Sequence, residues 1–230
     1  YEEIQKWTKE NMLDIIALGF NPKKTHFLIN TKHAGIMYPE AIKVAKKITF
    51  STIKASFGFT DSNNIGSIFY TAMQTVPTFL PNVLKKEDKM CLIPLGIDQD
   101  VHFRISRDVV EKLGYKKPAI IHAKFMPSLS GPEGKMSSTN HEHAILMTDS
   151  PAQVKKKINK YAFSGGQDTL EEHRKLGGNP DVDVAYQWLR YLEEDDKKLK
   201  KIHDDYKSGK LLSGEIKGIL IERINEFLAS

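Results

Sequence analysis

The residues best equipped for chemistry lie in one short stretch, Pro127-Ser128-Leu129-Ser130-Gly131-Pro132-Glu133-Gly134-Lys135-Met136-Ser137-Ser138-Thr139. It is too polar and too rich in glycine and proline to be a core element. A lysine followed by small hydroxyl residues suits a mobile loop that grips a polyphosphate. The ammonium supplies a point charge, while hydroxyls and turn N–H groups supply neutral donors. On composition alone an ordinary exposed loop with one lysine is the better account. Two other groupings invite a chemical reading. His141-Glu142-His143 places two imidazoles two residues apart, but zinc needs three or four ligands and no partner spacing is evident, so a polar loop is expected there and no metal site. Lys155-Lys156-Lys157 with Lys160, and Lys197-Lys198 with Lys200-Lys201, form basic clusters that a solvated helix face explains as readily as a phosphate backbone does.

These residues need elements to position them. The first segment reads as a helix carrying Ile4, Trp7, Ile15, Ile16 and Leu18 and closing at Gly19. His26–Ile29, Met90–Leu95 and Pro118–His122 read as short buried strands. Pro39 is expected to open a helix through Ile48. Further helices are expected over Ile65–Val76, ended or kinked by Pro77, and from about Gln99 to Leu113. Alternating apolar strand and amphipathic helix predicts a parallel sheet with helices packed on it, an α/β part reaching to about residue 148. Ligands of such sheets bind at the carboxyl ends of the strands. That directs attention to the segments after Leu95 and after His122. Beyond Asp149 no strand-like alternation remains. Ser150-Pro151-Ala152-Gln153 is a capping box with proline at the first helical position, and Thr169-Leu170-Glu171-Glu172 is another. Helices over Asp183–Leu192, about Glu194–Tyr206 and Ser213–Leu228 complete an all-helical part, 149–230.

The wording of the loop carries more than its composition. Lys135-Met136-Ser137-Ser138-Thr139 resembles the KMSKS signature of class I aminoacyl-tRNA synthetases, and Gly96-Ile97-Asp98-Gln99 resembles the GxDQ motif of the tryptophanyl and tyrosyl enzymes. Ala162-Phe163-Ser164-Gly165-Gly166, Glu171-Glu172-His173-Arg174, Gly177-Gly178-Asn179 and Asp181-Val182-Asp183-Val184 are spaced as in the eukaryotic-type tryptophanyl-tRNA synthetase family. The likeness reaches back through Phe57–Ser62 and Gln74 and covers nearly the whole chain. It implies the second half of a Rossmann-like nucleotide-binding fold followed by an anticodon-binding domain. It also implies ATP-dependent activation of tryptophan, with Mg²⁺ accompanying ATP, and transfer to tRNA-Trp. By family role Lys135, Ser137 and Ser138 act on the leaving phosphates and close the loop. Gly96, Asp98, Phe125, Met126, Met136 and Thr139 join them around ATP, with Asp98 toward the ribose. Gln74 and Gln99 meet the amino group of tryptophan. Gln167 would read an anticodon base, and Lys155, Lys156 and Lys160 would touch tRNA phosphates. Homodimerisation through the catalytic domain is implied too, with Phe50, Phe57 and Phe59 either interface anchors or core.

Two features depart from the family. The fourth signature position is Ser138 in place of lysine, which removes a second positive charge. No HIGH-type motif is evident. His33-Ala34-Gly35-Ile36 lacks the closing histidine and lies too near Lys135. The expectation is therefore a fragment, inactive alone, that lacks the HIGH-bearing part. A non-catalytic tRNA- or protein-binding fragment and a tyrosyl enzyme are the alternatives. The remaining composition is permissive. Of 230 residues 40% are hydrophobic and 27% charged, an ordinary globular balance. A single cysteine, Cys91, excludes an intrachain disulfide framework and fits a reducing, cytoplasmic setting. No apolar run approaches a membrane span. The net charge of +5 permits a polyanionic partner without demanding one.

Overall fold

The structure, a computed structural model, describes residues 2–137 and 140–229. It divides into two compact units, residues 1–124 and 125–230. The division falls before the glycine-rich loop, so the Lys135 segment folds with the helices that follow it.

In the first unit α1 (Glu2–Ala17), α2 (Ala34–Ala45), α3 (Phe50–Phe57), α4 (Ile65–Thr75) and α5 (Leu80–Lys85) precede β1 (Leu92–Gly96). A 3₁₀ turn, Ile97–Gln99, leads into α6 (Asp100–Val110), and β2 (Ala119–Ala123) follows. The strands pair in parallel, Leu92 opposite Ala119 through Gly96 opposite Ala123. The core is built on the helices, from Met37, Ala41 and Val44 of α2, Ala72 of α4, Val76, Phe79, and Ile105 and Val109 of α6.

Five local outcomes differ from the sequence expectations. Helix α5 was not anticipated, and the two strands expected to be buried are largely exposed, with Leu92 59% and Ile121 53% accessible. His26–Ile29 forms no strand among the described residues. Instead Ile29 closes a turn: its amide N–H and carbonyl both lie about hydrogen-bond distance from His33 Nδ1, at 3.0 and 2.9 Å, and Lys32 donates to its carbonyl. Helix α2 starts at Ala34 and holds Pro39 inside it. Proline there removes one intrahelical bond, but buried Met37, Ala41 and Val44 recur at helical spacing and keep the turn before Pro39 helical. Helix α3 was not anticipated, although Thr49 caps its first turn by accepting from the Thr52 amide and Gly58 ends it at φ +66°.

The second unit holds α7 (Pro151–Tyr161), α8 (Leu170–Leu176), α9 (Val184–Leu192), α10 (Asp196–Lys207) and α11 (Ser213–Ala229). The capping box at Ser150 forms in both directions. Val154 and Ile158 of α7, Trp188 and Leu189 of α9, Ile202 and Tyr206 of α10, and Ile216, Leu220 and Ile224 of α11 meet in one core with Leu129 from the loop. An α/β unit with parallel strands followed by a helical unit is the fold class expected from the sequence.

Candidate nucleotide and amino-acid site

β1 ends at Gly96, and the chain turns at once into Ile97-Asp98-Gln99. The turn is held by its neighbours. Helices α4 and α6 are joined by polar pairs one helical turn apart on each. Thr71 Oγ1 lies 2.9 Å from His102 Nδ1, and Thr75 Oγ1 lies 2.7 Å from Ser106 Oγ. Thr75 and Ser106 are fully buried; one hydroxyl donates to the other, whose own proton reaches a backbone carbonyl, that of Thr71 or His102, so both are satisfied where water cannot enter. From the same helix, Gln74 Nε2 donates to Gln99 Oε1 at 3.3 Å. The two glutamines that the resemblance assigns to one amino group, 25 residues apart in sequence, are thus brought side by side. Burial holds the His102 imidazole below its ordinary pKa, and its ring packs 4.5 Å from that of Phe57.

One cluster was missed at sequence level. His122 near the end of β2 places Nε2 2.7 Å from Asp100 Oδ1, and Arg104 Nε donates to Asp100 Oδ2 at 2.5 Å. The Arg104 hydrogen bond, with that of His122, holds the Asp100 carboxyl below its usual range. An acidic residue after the carboxyl end of one strand and a histidine near the end of its neighbour were each visible. Only the register of β1 on β2, Leu95 opposite His122, joins them.

In the second unit the glycine-rich loop is a small hairpin. Pro127 and Lys135 face each other in an isolated antiparallel bridge. The Met136 amide donates to the Met126 carbonyl at 2.9 Å, and the Ser128 amide to that of Gly134 at 2.7 Å. Lys135 is exposed, with its ammonium 5.1 Å from the Phe125 ring centroid, within cation–π reach. Phe125, Met126, Lys135 and Met136 are therefore neighbours, and exposed Ser137 follows them directly. Ser138 and Thr139 lie outside the described residues. Gly96, Asp98, Gln74 and Gln99 belong to the first unit, and the hairpin residues to the second.

The lysines of α7 separate into two kinds. Lys155, Lys156 and Lys160 are exposed. Lys157 turns inward and donates to Asp149 Oδ2 at 2.6 Å and to the Ala144 carbonyl at 2.9 Å. Gln167 is exposed and donates to the Gly177 carbonyl at 2.9 Å. Packing, rather than approach to a ligand, accounts for the glycines around it. A Cβ on Gly165 would collide with the Asn179 carbonyl oxygen, and one on Gly178 would lie 2.5 Å from the Tyr206 ring. Fully buried Asp183 ties these turns together. Its carboxylate accepts from the Gly165 amide at 2.9 Å, the Tyr186 amide at 3.0 Å and the Tyr206 hydroxyl at 2.7 Å. Burial pushes the Tyr206 hydroxyl up to about 12, so it stays a donor. Among the described residues no three His, Cys, Asp or Glu side chains are grouped to hold a metal ion. His143 instead packs its ring 4.8 Å from Tyr161.

The comparisons with known proteins agree with this layout. The model of the tRNA synthetases class I (W and Y) family matches residues 2–229. Tryptophan–tRNA ligase of Sulfurisphaera tokodaii is 56% identical over 228 residues, 99% of this chain and 58% of the relative. Cytoplasmic tryptophan–tRNA ligase of Saccharomyces cerevisiae is 50% identical over 231 residues, 98% of this chain and 54% of the relative. The solved tryptophanyl-tRNA synthetase of Giardia lamblia superposes with a TM-score of 0.91 at 38% identity, covering 100% of this chain and 64% of that one. The chain thus spans a little over half the length of the curated relatives it matches. No helix among the described residues is long and apolar enough to cross a membrane. By its motifs, its parallel strands with a helical second unit, and a family match along nearly its whole length, the chain belongs to the class I tRNA synthetases of the W and Y family.

Proposed function

We propose that this chain serves the ATP-dependent activation of tryptophan and its transfer to tRNA-Trp. The observation that carries the reading is the Lys135 hairpin, an exposed ammonium on a bridged turn beside an aromatic ring and followed by Ser137. The paired Gln74 and Gln99 after the carboxyl end of β1 support it. Tryptophan over tyrosine rests on the relatives, whose names specify tryptophan. The tryptophan carboxylate attacks the α-phosphorus, a new P–O bond forms, and pyrophosphate leaves with the electrons of the broken one. No enzyme nucleophile is needed, and positioning with charge stabilisation carries the rate. In this reading Lys135 neutralises charge growing on the leaving phosphates of Mg²⁺-bound ATP, and Ser137 donates to them with Ser138. Asp98 approaches the ribose, and Gly96, Phe125, Met126, Met136 and Thr139 frame the nucleotide. Gln74 and Gln99 accept from the tryptophan ammonium.

For the tRNA step, exposed Lys155, Lys156 and Lys160 face phosphates and Gln167 faces an anticodon base. Exposed Phe50 and Ile65, 48% and 82% accessible, border an apolar hollow with Ile53 and Ala72, a surface suited to a second copy. Phe57 and Phe59 are half-buried, stacked on each other 5.3 Å apart, and belong more to the core. The two yeast relatives named cytoplasmic support the same setting here. In an enzyme of the relatives' length carrying these residues, Lys135→Ala should lower kcat for tryptophan-dependent ATP–pyrophosphate exchange by about 10²-fold or more, the scale of losing one transition-state charge contact. An unchanged kcat would remove Lys135 from the mechanism. The 230 residues assayed alone, without a HIGH-type motif, should show no exchange.

A further inference from the structure

The Lys135 hairpin is held from below by α9. Trp188 is 2% exposed, and its indole N–H donates to the Pro127 carbonyl at 2.8 Å. One turn later the Tyr191 hydroxyl donates to the Phe125 carbonyl at 3.1 Å. Side chains three apart on a helix share a face, and carbonyls two apart on an extended segment point to one side. The helix donors and the loop acceptors therefore match in spacing. Pro127 is also the residue that opposes Lys135 in the bridge. The clamped carbonyl thus belongs to the residue that sets the register of Lys135. A third tie secures the far side, where the Phe163 amide donates to the Leu129 carbonyl at 2.8 Å.

A buried indole needs some acceptor, so the Trp188 bond alone would fit a plain core residue. Tyr191 argues otherwise. Its side chain is 48% exposed, so its hydroxyl could be satisfied by water, yet it reaches the loop backbone beside Phe125, whose ring lies under the Lys135 ammonium.

We propose that Trp188 and Tyr191 are positioning residues for phosphate binding: from α9 they fix the base of the hairpin and so present Lys135 to the ATP polyphosphate. This rests on the polyphosphate role assigned to Lys135 above. The test is MgATP binding by calorimetry to an enzyme of the relatives' length carrying these residues, with Lys135→Ala, Trp188→Phe, Tyr191→Phe and each phenylalanine variant combined with Lys135→Ala. Tyr191→Phe keeps the ring and removes only the hydroxyl, while Trp188→Phe removes the indole N–H and also shrinks the ring; each loses one donor and should weaken MgATP about three- to tenfold. In the Lys135→Ala background the same changes should have no further effect, because their action passes through the ammonium. A merely structural role would weaken binding equally in both backgrounds, and that result overturns the proposal. So does wild-type affinity in both phenylalanine variants while Lys135→Ala binds weakly, which leaves the role of Lys135 intact. Wild-type affinity in Lys135→Ala, or no binding by the unaltered enzyme, overturns the polyphosphate reading and this proposal with it. If Trp188→Phe does not fold, Tyr191→Phe, which alters an exposed side chain, decides the matter by the same comparison.

Discussion

Residues of one type do different work here, and the lysines of α7 show it most clearly. Lys157 is committed to Asp149, whose carboxylate is 5% exposed, and to the Ala144 carbonyl. Lys155, Lys156 and Lys160 project outward, and Lys160 lies over the Tyr161 ring, 4.7 Å from its centroid. If the outward three contact tRNA phosphates, reversing them to glutamate should flatten the log K against log salt slope by up to about 0.7–0.9 per lysine. Lys157→Met should leave that slope unchanged and lower stability, because it strands a buried carboxylate. Equal slopes for the unaltered and charge-reversed proteins in a salt titration of tRNA binding would remove these lysines from the interface. The sequence shows one basic run. It does not show which ammonium turns inward, because Asp149 and Ala144 reach Lys157 only after the chain has turned at the Ser150 cap.

Among the elements, complete local signals made some legible, although α3 went unread despite its Thr49 and Gly58 caps, and elements that depend on distant partners were not legible. Helix α7 announced itself through Ser150, Pro151 and Gln153, and its capping box forms as read. Helix α9 has its N-cap at Asp183, but the sequence did not show that this carboxylate would be fully buried and shared by Gly165, Tyr186 and Tyr206. The apolar run at His26–Ile29 failed as a strand because periodicity cannot supply a partner ladder, and Ile29 bonds His33 instead. At the candidate site the motif residues were readable by type. The clamp from Trp188 and Tyr191 was not, since it joins residues about sixty positions apart. The glycines of the α7–α8 turn supply an element-scale test. Gly165→Ala should destabilise the second unit by at least about 3 kcal/mol, the range of severe packing clashes. Gly131→Ala, where an added Cβ meets nothing within 4 Å, should stay within about 0.5 kcal/mol. Urea unfolding followed by Trp188 fluorescence in a Trp7→Phe background measures both, and equal midpoints would contradict the packing account.

At the scale of the whole molecule, the candidate residues fall into two units. The first supplies the parallel strands, the Asp98 turn and the glutamine pair; the second supplies the Lys135 hairpin and the lysine-bearing helices. The net charge of +5 is spread thinly, and residues 151–230 hold 15 basic and 14 acidic side chains. Any attraction for tRNA therefore rests on local clusters of lysine, such as that on α7, rather than on a global field. The fold class was legible because β1, α6 and β2 show the strand–helix–strand pattern and no strand pattern follows them. The placement of the loop with the helical unit was not, since Leu129 enters that core through contacts with α7 and α9 that no pattern in the loop announces. The account stands on amino-acid choice as well as fold. Its most direct test is ATP–pyrophosphate exchange by an enzyme of the relatives' length carrying these residues, run with tryptophan and with tyrosine in parallel. Exchange with tryptophan and only background with tyrosine is the predicted result. Exchange with tyrosine at or above the tryptophan rate, or background with both, would contradict it.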